Sequence, residues 1–308
     1  MILADQALRP LGIIMEPKKY EHGEFVVVTG FGVNSHDASL SLSPIQTAHT
    51  IDLLDSILAL ENTAIPFKRF EQLTGTLNWA SNVYFLIRPS LTPIYAAMKQ
   101  VPTSARSRYR LTVTPLIVNT LRWLKQYIST APPFRLLDNE AWLPSQADFF
   151  LYTDACLEGM AFFLPDVNIL YYHLRPGGYR DQHGQQLPIN TIELFCQFWA
   201  RSCIPDLLHI PSFGSRCLSY VDNTTACSNL NTFKSNNLIQ SIIIREAALV
   251  EIRSEISFLT HHIPGKINII ADLGSRGQID EIRRKAPNIS CFPTPRLPPL
   301  PFPFDICF

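Results

Sequence analysis

The sequence predicts an α/β protein: a mixed five-stranded sheet with helices packed on it, preceded by a mostly helical region. Three observations carry this. The 308 residues are 46% hydrophobic and 17% charged, the balance of a folded chain with about two domains. Apolar residues recur at helical spacing through much of residues 44–130. From about residue 146 the order becomes three strands, helix, strand, helices, strand, helix, the pattern of a mixed sheet with helical cover.

The elements follow in order. A short helix into Leu11–Met15 leads to a strand around Glu24–Val33, where Gly30 and Gly32 flank Phe31 and imply a bend or a close backbone approach. Ser43-Pro44 reads as an N-cap followed by proline at the first helical position, and Ile51, Leu54, Ile57 and Leu58 continue that helix. A second helix begins near Pro66, with Phe70, Leu73 and Leu77 on one face; a third opens at Thr114-Pro115, with Val118, Leu121, Leu124 and Ile128 in register. DFFLYTD, GMAFFL and ILYYH are strand runs, with Pro165, Asp166 and Asn168 as turn residues between the last two. Residues 174–188 are polar and glycine-containing, a loop. A helix carrying Ile192, Phe195 and Trp199 follows, then the strand RCLSYVD, helices from NTTACSNL and SNNLIQSIIIREAALVEI, the strand EISFLTHHI, and a last helix from NIIADLGSR. The tail from Pro287 (FPTPRLPPLPFPF at its centre) reads as extended and inert, with a PxxP-type ligand as the alternative.

Charge is zero overall but uneven. Residues 101–145 hold six Lys/Arg against two Asp/Glu, and residues 146–280 hold nine against thirteen. An acidic segment beside a basic one fits a metal-dependent nuclease next to a phosphate-gripping neighbour, and equally a chance distribution of surface charge. The seven cysteines are odd in number and form no CxxC pair, so neither a disulfide framework nor a zinc site is expected. An intracellular, reducing location is expected, with nucleus and cytoplasm undistinguished. Asp5 and Arg9 break the apolar N-terminus, making a poor signal peptide, and no membrane span is expected.

Four carboxylates draw the chemistry. Asp154 and Asp222 stand at the ends of expected strands, Glu193 in the first turns of the following helix, and Asp272 at the start of the last helix. Strand ends form the crevice where ligands bind in such sheets. Acids gathered there repel unless divalent cations neutralise them, and oxygen ligands favour Mg²⁺ or Mn²⁺ over zinc. Two such ions suit phosphodiester cleavage. Taken singly, each acid reads first as structural, the strand-end Asp154 as a turn former, Asp222 and Asp272 as helix caps and Glu193 as a first-turn surface acid, and it is their joint occurrence that points to a site.

TDACLEGMAFF, INTIELFCQFWA, YVDNTTACSNLN and HHIPGKINIIADLGSR occur in that order and resemble the motifs of retroelement ribonuclease H domains, of the DIRS-like or gypsy-related retrotransposon type. LGIIMEPKKYEHGEFVVVTGFGVN is similar to the end of a reverse-transcriptase palm, with Lys18 or Lys19 after its active-site strands and Gly30-Phe31-Gly32 as the primer-grip turn; SLSLSPIQTAHTIDLLDSIL and FKRFEQLTGTLNWASNVYFLIRPSLTPIYAAM resemble the thumb. The resemblance covers about residues 10–280. It implies a palm end and thumb over 1–100, a connection over 101–145, an RNase H-like domain over 146–280 and a proline-rich tail over 281–308. It implies catalytic and metal-binding roles, with two Mg²⁺ or Mn²⁺ ions, for Asp154, Glu193, Asp222 and Asp272, and cleavage of the RNA strand of an RNA–DNA hybrid.

Such a domain reads A-form shape, 2′-hydroxyls and phosphates. Asn223 and Thr224 at a helix start are candidate phosphate or sugar contacts. Lys266 and Arg276 are candidate backbone contacts, or plain surface charge, and Arg106, Arg108 and Arg110 a candidate grip upstream. The chain departs from the family at Cys156, where serine is usual, at Pro188, where a histidine often precedes Ile-Asn, and at Lys266, where bacterial relatives carry histidine. No YxDD motif occurs, so this chain alone is not expected to copy nucleic acid, as in a fragment or decayed copy whose palm belongs to a longer or separate chain. The alternatives are an inactive remnant that binds nucleic acid and an interaction protein.

Overall fold

The computed structural model describes residues 23–131, 133–135, 142–181, 183–208, 214–294 and 297–298. The expected helix at Leu11–Met15 and the lysines Lys18 and Lys19 lie outside them. The described part is mixed α/β, as expected.

The first half builds a small antiparallel sheet against helices. Strands β1 (Phe25–Val28), β2 (Phe31–Asn34) and β3 (Ser39–Leu42) form a meander. The single strand expected over Glu24–Val33 is therefore a hairpin: Thr29 and Gly30 both hold positive φ, the geometry of a tight two-residue turn. Gly30 packs so closely on Trp79 that a Cβ would fall 3.0 Å from the indole, and Phe31 stacks on the same ring at 4.3 Å. Helix α1 (Pro44–Leu58) starts at Ser43, whose hydroxyl accepts from the Gln46 N–H. Strand β4 (Ala64–Pro66) leads into α2 (Phe67–Ala80), a 3₁₀ turn at Phe85–Leu91 and α3 (Thr92–Lys99). Strand β5 (Arg110–Thr112) pairs with β4, and α4 (Pro115–Thr130), capped by Thr114, precedes β6 (Phe134–Arg135), which adds to β3. The expected faces of α2 and α4 are buried together in one core. The region is less helical than its spacing implied, because β4 and β5 are too short to show a two-residue period.

The second half is a six-stranded sheet in the order β11-β10-β7-β8-β9-β12. Strands β7 (Phe149–Cys156), β8 (Gly159–Leu164) and β9 (Ile169–Leu174) are antiparallel neighbours. Helix α5 (Ile189–Leu208) crosses to β10 (Arg216–Val221), which runs parallel to β7. Helices α6 (Thr224–Thr232) and α7 (Leu238–Ser254) lead to β11 (Ser257–His262), parallel to β10, and then come α8 (Ile269–Ser275) and α9 (Ile279–Lys285). Side chains alternate across the sheet: Met160 and Phe162 of β8 pack under α5 with Trp199, and Ala161 packs with Leu273 and Ile282 on the other face. Helix α5 is buried around most of its circumference, with Glu193, Gln197 and Arg201 among the buried side chains.

One strand exceeds the expected five. β12 (Ser290–Pro293), in the stretch expected to be a tail, pairs parallel with β9. Phe292 stacks on Tyr171 at 5.4 Å, and Leu297 is buried in the main core. Proline is tolerated because β12 is an edge strand and Pro293 ends it. The halves meet where Phe85 packs on Phe233 at 5.6 Å and Thr92 Oγ1 donates to the Ser235 carbonyl at 3.1 Å. Among the described residues no helix is long and apolar enough to cross a membrane.

Candidate metal centre

Adjacent β7 and β10 run parallel, so their C-terminal ends open to the same side of the sheet. Asp154 lies near the end of β7, Asp222 follows β10, and Glu193 enters from the first turns of α5. One carboxylate oxygen from each of these three acids lies within 4.8 Å of the others. Asp154 and Glu193 are buried and Asp222 is half-buried.

Asp272 stands apart from this triad. Its Oδ1 accepts from Arg276 Nε at 2.8 Å and Nη2 at 2.7 Å. It remains close enough for its charge to raise the pKa of both Asp154 and Asp222. The structure thus gathers three of the four expected acids, with the fourth at the rim on a guanidinium. The cap before α6 is Asn223, whose Oδ1 accepts from the Ala226 N–H at 3.0 Å, and not Asp222. Asp272 lies within the first turn of α8 rather than at its cap.

The electrostatics follow from crowding and burial. Desolvation, then Asp222 and Asp272, pushes Asp154 up to about 7, against the Ser275 hydroxyl that donates to its Oδ2. Glu193 is held well above the usual carboxylate range by desolvation and by both neighbouring acids, although it accepts a bond from the Ala155 N–H. Asp222 is raised, first by desolvation. Glu193 Oε2 is buried without a hydrogen-bond partner, an arrangement that is costly unless a cation or a proton satisfies it. Three convergent oxygens with one left over are the donor set of a hard divalent cation, and the residues fit such an ion.

The other expected contacts divide between the neighbourhood of the triad and the first half of the chain. Thr224 is exposed at the start of α6, and Lys266 is exposed on the loop before α8. Arg276 is engaged with Asp272. Arg106 lies over the Phe67 ring at 5.3 Å, and Arg110 donates to the Ala64 carbonyl, so both brace their own fold. His261 is half-buried and His262 exposed, with Nε2 3.2 Å from the Asp222 carbonyl. Cys156 Sγ donates to the Ser275 carbonyl at 3.3 Å.

Several residues at the site were not singled out from the sequence. Ser275 holds Asp154. Gly265 leaves room for Asp222, whose Oδ2 would lie 3.0 Å from an added Cβ. Asn268 occupies a cap position yet makes no cap bond, and its Nδ2 reaches the Thr153 carbonyl at 2.7 Å instead. The only sequence signal for Ser275 is its spacing of three from Asp272, one helical turn; its partner lies 121 residues away.

No protein-family model matches the chain, and no curated protein matches it. Among solved structures the chain is similar to the foamy viral protease-reverse transcriptase dRH in complex with ds DNA, at 13% identity and TM-score 0.30, over 77% of this chain and 38% of that one. It is also similar to the foamy viral protease-reverse transcriptase in complex with RNA/DNA hybrid, at 12% identity and TM-score 0.28, over 77% of this chain and 29% of that one. A third is the same protein in complex with dsDNA, at 10% identity and TM-score 0.30, over 78% and 45%. The chain spans less than half the length of each of these proteins.

Proposed function

We propose that this chain is a retroelement-derived ribonuclease H, of DIRS-like or gypsy-related type, that cleaves the RNA strand of RNA–DNA hybrids. The observation that carries the reading is the convergence of Asp154, Glu193 and Asp222 within 4.8 Å, with a buried Glu193 oxygen lacking any partner. The four sequence motifs support it, since each expected acid lies at or beside the same crevice.

In this reading Asp154, Glu193 and Asp222 hold Mg²⁺ or Mn²⁺, and Asp272 completes the set for a second ion. Bound divalent ions activate a water and stabilise the leaving oxygen in phosphodiester cleavage. The chain's own residues do the rest. Ser275 orients Asp154 through its hydroxyl. The exposed Thr224 and the amides at the start of α6 offer donors to a phosphate, and Lys266 adds an exposed positive charge on the loop before α8. Asn223 has its oxygen committed to the cap, which leaves its amide NH₂ to donate to a sugar or phosphate.

The test is cleavage of a labelled RNA–DNA hybrid by the purified chain with Mg²⁺ or Mn²⁺, beside Asp222→Asn. Cutting of the RNA strand that the substitution abolishes supports the reading. A folded protein that binds the hybrid and leaves it intact would favour the inactive, nucleic-acid-binding remnant.

A further inference from the structure

A chain of buried side-chain hydrogen bonds runs beneath the three acids. Ser219 Oγ on β10 donates to Gln197 Oε1 on α5 at 2.8 Å, and Gln197 Nε2 donates to Thr153 Oγ1 on β7 at 2.6 Å. All three side chains are fully excluded from solvent. The Thr153 carbonyl accepts from Asn268 Nδ2, which brings in the turn before α8. Each member lies a short step along the chain from one acid. Thr153 directly precedes Asp154, Gln197 is four residues after Glu193, Ser219 is three before Asp222, and Asn268 is four before Asp272.

We propose that Gln197 is a positioning residue that locks β7, α5 and β10 in the one register at which Asp154, Glu193 and Asp222 converge on a cation. The inference rests on the metal-site reading above and names what holds the acids together. Three carboxylates in one crevice repel, so the elements that carry them are pushed apart. Apolar packing resists this only weakly in direction, because it is non-directional. A relay bonded from Ser219 through Gln197 to Thr153 exists at one helix rotation and one strand offset. The amide suits the middle position because it accepts at one end and donates at the other. Methionine fills similar space and does neither. An apolar residue is the default for so buried a helix face, so a glutamine there needs a reason beyond packing. The four-residue spacing puts Gln197 and Glu193 on the same face of α5, so a rotation that broke the relay would also swing Glu193 away.

The test compares the full wild-type chain with Gln197→Met, Thr153→Val and Thr153→Ser. Mn²⁺ alone is titrated by electron paramagnetic resonance, well below each protein's melting temperature, with folding checked by circular dichroism. Expected is an affinity at least about tenfold weaker in Gln197→Met and Thr153→Val. Thr153→Ser keeps the hydroxyl and is expected to bind as wild type. Lower melting temperatures with unchanged Mn²⁺ affinity in the folded variants would reduce the relay to ordinary core stability and overturn the proposal. Amide hydrogen exchange without metal separates this inference from the reading beneath it. If wild type binds no Mn²⁺, the metal reading falls. Exchange then decides the relay: faster exchange confined to the ends of β7 and β10 and the first turns of α5 in the two disrupted variants supports it, and unchanged protection there refutes it.

Discussion

Removing one charge from the crowded site should stabilise the metal-free protein at alkaline pH. Asp154 is buried, and its pKa rises from 3.8 to about 7 on folding. The folded state therefore keeps a proton on Asp154 up to about pH 7, while the unfolded chain releases it near pH 4. Between those values the native state binds more protons than the unfolded one, so stability falls as pH rises and levels off above pH 7. At about 1.4 kcal/mol per tenfold change in proton affinity, the loss is about 4 kcal/mol. For a chain of this size that corresponds to a melting temperature lower by ~6 °C. Glu251, half-buried and pushed up to about 7 by desolvation against the opposing charge of Arg201, adds a slope of the same sign. The comparison with Asp154→Asn isolates the site. Calorimetry in EDTA from pH 5 to 8 should show wild type losing stability and the variant losing less, so that the variant is the more stable protein at pH 8. Mg²⁺ at pH 8 should raise the melting point of wild type and not of Asp154→Asn. A wild type whose stability stays level or rises from pH 5 to 8, with Asp154→Asn no more stable at pH 8, would refute the reasoning.

Three further outcomes are expected. Gly265→Ala places a methyl 3.0 Å from Asp222 Oδ2, so Mn²⁺ affinity measured by titration calorimetry should fall while the melting point barely moves. Arg276→Gln frees Asp272 from its ion pair. Because an exposed pair is worth about 1 kcal/mol or less, Mn²⁺ should bind more tightly by under about tenfold, and weaker binding would mean that Arg276 supports the site instead. Ending the chain at residue 287 removes β12 and the buried Leu297. It should cost at least ~2 kcal/mol from the lost apolar burial alone and expose β9 as a new edge, read as a lower melting point and light scattering at high concentration.

Much of the second half was legible because its signals are local. GMAFFL and DFFLYTD are short strand runs bounded by turn residues, and the sheet preserves them as β8, buried on both faces, and β7. Ile192, Phe195 and Trp199 lie on the buried side of α5 as their spacing requires. The acids were legible for the same reason: an acid after an apolar run marks the neighbourhood of a strand end, with Asp222 directly after β10 and Asp154 two residues before the end of β7. In the first half, the bend implied by Gly30 proves to be a full hairpin turn at Thr29-Gly30, and the apolar residues on either side of it read as one strand where two exist. The three-residue strands β4 and β5 are shorter than a periodic signal needs.

By itself, then, the sequence determined the mixed α/β class, the order of elements after residue 146, and the four acids with their places at element ends. Only the tertiary structure decided which of them meet. Convergence of Asp154, Glu193 and Asp222 depends on the parallel pairing of β10 with β7 and on the rotation of α5, and Asp272 is kept apart by an arginine one turn away. The sixth strand was decided there too, since β12 has weak strand character and forms because β9 offers it an open edge. Ser219, Gln197 and Thr153 look like ordinary polar residues in three separate segments. Their bond to one another is a through-space fact between residues 22 and 44 positions apart, and periodicity, which reports only neighbours along the chain, carries no trace of it.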